Sequence, residues 1–108
     1  MEMNYYQTEA EKTAIYPSEH GLTYLTLGLV GEAGEVAETL KKVIRDSNGD
    51  WSLDQLHATA KELGDVFWYL ANLAGGLGYS LEEIAEMNIA KLRDRQERGK
   101  LGGSGDNR

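Results

Sequence analysis

Glu32 with Glu35, and Glu62 with Asp65, each place two acids three residues apart in segments that otherwise read as apolar helix. Positions three apart share a helix face, and like charges so placed destabilise an isolated helix. A lysine or arginine one turn away would relieve the repulsion. The neighbours of Glu32 at three and four positions are instead Gly28, Leu29, Glu35 and Val36, and those of Glu62 are Ala58, Thr59, Asp65 and Val66. Only Asp65 has a cation one turn away, Lys61, in the less favourable order. Four carboxylates without local compensation are either fully solvated or gathered round a cation.

Their angular positions favour the cation. At 100° per residue, Glu32 lies about 40° from Val36 and about 60° from Leu29, so the acid borders the apolar stripe, and Glu62 relates to Val66 and Leu73 in the same way. Helices packed through those stripes bring the acids together, where unpaired carboxylates would be costly to bury. An all-oxygen set without thiol or nearby histidine suits Mg²⁺, with Mn²⁺ as a substitute, and disfavours zinc. The helical di-iron proteins use Glu-x-x-His on paired helices, but only Asp54 and His57 approach that spacing here, once. Mg²⁺ held by a few carboxylates completes its shell with water and substrate phosphates. Hydrolysis of a phosphoanhydride is the reaction that follows.

Cations and aromatics extend the candidate site. Lys91 and Arg95 stand four apart, suited to clamp phosphate oxygens. Their alternative is a pair of solvated charges. Tyr69 falls about 20° from Glu62 on the same helix, within reach of a sugar or phosphate or else in the core. Trp51, Trp68, Tyr16 and Tyr24 can stack on a base or pack inside. Glu38 continues the acidic spacing but has Lys41 and Lys42 within reach, which favours a surface ion pair. His20 has no acidic motif partner and reads as structural or exposed.

Size and charge narrow the classes further. A 108-residue chain is one domain with a modest core, where self-association often completes burial. The net charge of −7 speaks against duplex nucleic acid or an anionic membrane as partner, since both need clustered cations. No cysteine is present, consistent with a reducing cytoplasm. Met1–Tyr6 lacks the apolar run of a secretory signal, and no stretch has the length of a membrane span. The expectation is a soluble, cytoplasmic protein.

Four helices must position these groups. A short one is expected from Asn4 to Ile15, stopped by Pro17. The second runs from near Ser18 to Arg45, with Leu22, Leu25, Leu29, Val36, Leu40 and Val43 at helical intervals. Ser52 with Gln55, and Ser80 with Glu83, have the form of capping boxes and open the third and fourth helices, which end at the Gly75–Gly78 region and near Glu97. The fold class is all-α, an antiparallel helical bundle completed by homo-oligomerisation. Residues 1–97 form the helical domain. The Gly-rich tail, 98–108, is expected to be mobile unless a ligand or partner orders it. Gly28, Gly31, Gly34 and Gly64 each cost a helix about 1 kcal/mol relative to alanine, so each marks a groove or a close packing contact.

The runs Gly28–Glu38 and Lys61–Val66, with Asn88, Lys91, Leu92 and Arg95 downstream, resemble the MazG-like nucleoside triphosphate pyrophosphohydrolases of the all-α superfamily, over roughly Leu22 to Arg95. The resemblance implies that Glu32, Glu35, Glu62 and Asp65 bind Mg²⁺. It implies attack of water on the α-phosphorus, with release of a nucleoside monophosphate and pyrophosphate, and a homodimer or homotetramer. Asn88, Lys91 and Arg95 then match positions that contact the triphosphate, and Glu32 or Glu35 helps to orient or deprotonate the water. Some relatives carry a further acid directly before the first motif glutamate, where this chain has Gly31. The rival readings are a non-catalytic helical module that binds nucleotide or metal or merely dimerises, and a dUTP, dCTP or phosphoribosyl-ATP hydrolase of the same superfamily.

Overall fold

A computed structural model describes residues 1–108 and contains four helices and no strand: α1 Met3–Glu11, α2 Gly21–Ser47, α3 Leu53–Gly76 and α4 Leu81–Glu97. Both expected capping boxes form. The Ser52 hydroxyl accepts from the Gln55 N–H while the Gln55 side chain accepts from the Ser52 N–H, and Ser80 and Glu83 repeat the exchange. Each box satisfies two backbone donors that a helix start otherwise leaves free.

Other boundaries shift. α1 stops at Glu11, four residues before Ile15, because the chain tightens into a turn in which the Thr13 hydroxyl donates to the Ala10 carbonyl at 2.8 Å. The same hydroxyl accepts a hydrogen bond from Trp68 Nε1 at 2.7 Å, so a contact with α3 holds the turn. Ser18–His20 forms a single 3₁₀ turn ahead of α2. At the other end α2 runs two residues past Arg45, to Ser47, until Asn48 turns left-handed (φ 53°) and the Gly49 N–H returns to the Val43 carbonyl.

α2 and α3 form an antiparallel hairpin. Gln55 Nε2 donates to Ser47 Oγ near the loop, Tyr69 lies against Gly28 midway, and Leu22 meets Gly76 at the far end. Leu25 and Val43 are the large side chains fully buried. A second cluster joins the remaining helices: Ala10, Ala71, Ala74 and Leu81, with Tyr6, Phe67, Trp68 and Ile84 packed round them. Gln7 fastens that corner, donating to the Ala71 and Tyr79 carbonyls and accepting from the Leu81 N–H. α4 is attached to α1 and α3 and makes no close backbone approach to α2.

The single chain leaves much apolar surface open. Leu56, Leu63 and Leu70 recur every seventh residue along α3; they are exposed, as are Leu27, Val30, Leu40 and Ile44 of α2. Only 8 of 108 residues are buried, a core far smaller than a lone domain of this length normally builds. No helix is long and apolar enough to cross a membrane.

Candidate metal and nucleotide site

The hairpin register sets Glu32 of α2 opposite Glu62 and Asp65 of α3. One carboxylate oxygen from each lies within 4.8 Å of the others. Glu32 and Glu62 are half-buried and Asp65 is exposed. Partial desolvation, then the charges of Asp65, Glu62 and Glu35, push the Glu32 carboxyl above its ordinary range. None of the six ion pairs in the molecule involves these residues or Glu35. The site therefore concentrates negative charge with no protein cation to answer it, and its donors are all hard carboxylate oxygens, the kind that hold hard divalent cations.

Glu35 stands apart. One turn beyond Glu32, it is close enough for its charge to bear on that residue, but it is exposed and its oxygens lie outside the three-residue group. Its side chain is unrestrained by any ion pair.

An open cavity of about 340 Å³ adjoins the acids, lined by Thr13, Glu32, Asp65, Trp68 and Tyr69. That volume falls within the range of small-molecule sites. Tyr69 owes its position to Gly28: a β-carbon there would sit 2.0 Å from the ring carbon Cε1. Burial, the neighbouring Tyr24 and the charges of Glu32 and Asp65 raise the Tyr69 hydroxyl above its ordinary value, which keeps it a hydrogen-bond donor. Trp68 closes one side, edge-on to Tyr69 at 4.9 Å between ring centres. Tyr16 stacks on Tyr24 at 5.2 Å, and Tyr24 in turn faces Tyr69 at 6.4 Å. Thr13 escaped the sequence reading because nothing in its neighbourhood marks it, and only the α1 turn brings it to Trp68. Tyr6 was missed for the same reason, yet Asp65 is near enough to help raise its hydroxyl.

The α4 residues are not brought to the acids within one chain. Asn88 is exposed, and Lys91 and Arg95 are both engaged by Asp106 of the tail. Glu38 pairs with Lys41 at 3.0 Å and is drawn below the ordinary range by it, as its spacing suggested. Trp51 and His20 lie exposed at helix entrances, away from the cavity. Gly31, Gly34 and Gly64 border open space, so no packing within the chain requires them.

An all-helical hairpin that sets Glu-x-x-Glu against Glu-x-x-Asp defines a class, and the MazG nucleotide pyrophosphohydrolase domain matches residues 20–99. The chain belongs to that family. It is also similar along its whole length to the Gene 37 protein of Mycobacterium phage L5, at 46% identity over 114 aligned positions that span both chains completely. No solved structure matches the chain.

Proposed function

We propose that this member of the MazG family is a Mg²⁺-dependent nucleoside triphosphate pyrophosphohydrolase, converting a canonical or modified (deoxy)nucleoside triphosphate to the monophosphate and pyrophosphate. The observation that carries this reading is the convergence of Glu32, Glu62 and Asp65, unpaired by any cation, at the edge of a ligand-sized cavity. Glu32, Glu62 and Asp65 would hold the ion, with Glu35 turning in beside them. Bound there, Mg²⁺ would shield the phosphate charge and lower the pKa of an attacking water, and Mn²⁺ would do the same.

The protein groups then divide the remaining work. Glu35 or Glu32 accepts a hydrogen bond from the water and orients it toward the α-phosphorus. Tyr69 donates to a sugar or phosphate oxygen. Asn88, Lys91 and Arg95 bind the triphosphate and stabilise the departing pyrophosphate. Because α4 makes no approach to α2 within one chain, that last role belongs to a homodimer or homotetramer. The exposed seven-residue leucine seam of α3 supports such an assembly. The absence of cysteine fits a place of action in a reducing cytoplasm.

Incubation with each nucleoside triphosphate and Mg²⁺, followed by separation of products, tests the reaction. Monophosphate with pyrophosphate is the expected outcome. Diphosphate with phosphate, or no turnover on any nucleotide, overturns it.

A further inference from the structure

The tail expected to be mobile folds back on α4 instead. Gly99, Gly103 and Gly105 all take positive φ, which glycine adopts without strain and which reverses the chain. Arg108 then gathers the loop, donating to the carbonyls of Leu101, Gly102 and Gly105, while Arg98 donates to the Arg108 main-chain oxygen. This arrangement delivers Asp106 to the two cations of α4. Its Oδ1 lies 2.7 Å from Lys91 Nζ and 3.2 Å from Arg95 Nη2, and Arg95 also donates to the Asp106 main-chain oxygen. Lys91 first, then Arg95, draws the Asp106 carboxyl below its ordinary range.

The exposures of the partners are unequal. The Arg95 side chain is 7% exposed, whereas that of Asp106 is 76% exposed. An arginine is rarely so buried unless paired, and the side-chain hydrogen bonds of this one both end on Asp106. Lys91, Arg95 and Arg98, spaced four and three apart, share one face of α4, so the tail lies along a cationic strip. A carboxylate oxygen shared between an ammonium and a guanidinium occupies the same two donors that an anionic phosphate oxygen would accept from. Asp106 itself is largely exposed and its other partner, Lys91, is partly so, which leaves the clasp weak enough to exchange.

We propose that Asp106 is an internal stand-in for a phosphate group, so that residues 99–108 act as a displaceable strap over an anion site made by Lys91 and Arg95. The proposal rests on the reading of those two residues as phosphate ligands. The strap competes with the anion, and apparent affinity falls by the fraction of molecules in which it is closed. Substrate or pyrophosphate that reaches the cations releases the tail, and product departure lets it return.

Calorimetric titration of the full-length protein with inorganic pyrophosphate, without divalent metal, tests this. Asp106→Asn should bind about three- to tenfold more tightly than the unaltered chain, the scale of releasing a largely exposed carboxylate from its ion pairs. Deletion of residues 102–108 should match it, and adding Lys91→Ala to Asp106→Asn should abolish the gain. Glu97→Gln removes one negative charge nearby without touching the clasp and should gain little. Equal or weaker binding by Asp106→Asn, or an equal gain from Glu97→Gln, overturns the strap. Nucleotide turnover separates the two claims: turnover with unchanged pyrophosphate affinity in Asp106→Asn defeats the strap alone, and the affinity gain without turnover in any form defeats the hydrolase alone.

Discussion

Tyr69 lies across Gly28, with its Cε1 2.0 Å from where a β-carbon at position 28 would stand. The contact fixes two things at once. It sets the approach of α3 to α2 one turn from Glu32 and Asp65, and it holds the aromatic ring on the wall of the cavity that those acids share. Gly28→Ala gains about 1 kcal/mol of helix propensity but must displace a ring, and overpacking of that kind costs about 1–3 kcal/mol. Urea titration should show net destabilisation, and adding Tyr69→Ala to Gly28→Ala should remove the clash component. A Gly28→Ala chain as stable as the original, with unchanged turnover, would show that the ring is free to move.

Glu62→Gln and Asp65→Asn remove one carboxylate from an uncompensated group. Turnover should fall by about 100-fold or more, the scale of losing an electrostatic stabiliser at a reaction centre. In metal-free buffer each variant should melt no lower than the original chain, because the substitution relieves repulsion. Circular dichroism melts with and without Mg²⁺ check both parts: the original chain should gain stability from the ion and the variants should gain much less.

The raised Glu32 carboxyl gives that metal effect a pH dependence. A carboxyl whose value rises on folding favours the folded state while protonated, so its contribution is present at low pH and is lost as pH climbs through the raised value. Mg²⁺ binds the ionised form and offsets the loss. The thermal shift caused by Mg²⁺ should thus be larger at pH 8 than near pH 5. A shift independent of pH would mean that Glu32 takes no part.

Leu63 sits midway along the exposed seam of α3, half uncovered at 53%. Leu63→Glu should dissociate a homo-oligomer, read as a smaller mass by light scattering after gel filtration. It should reduce turnover along with it, because α4 and α2 do not meet within one chain. A monomer that is fully active would assign the α4 cations to some other task.

Much of this was legible in the residues because the signals were local. Ser52 with Gln55 and Ser80 with Glu83 announce helix starts within four residues of sequence, and both boxes form. The acid-x-x-acid repeats were equally plain, and the hairpin register unites three of the four members. What escaped the reading depends on distant partners. Thr13 meets the site only through Trp68, 55 residues away, in the turn that follows α1. The tail reads by composition as Gly-rich and mobile unless a ligand or partner orders it, yet three left-handed glycines and the carbonyl contacts of Arg108 shape it into a loop that carries Asp106 to α4. Glu35 shows what spacing alone gives: it places a residue on a face, but an exposed side chain without a partner has no fixed direction.

Crystals grown with Mn²⁺, whose anomalous scattering marks its position, measure the central claim most directly. The expected result is a peak between Glu32, Glu62 and Asp65, with oxygens at about 2.1–2.2 Å, close to the distances of hard divalent ions, and Glu35 rotated toward it. A map with no peak there, and with these carboxylates directed apart into solvent, would contradict it.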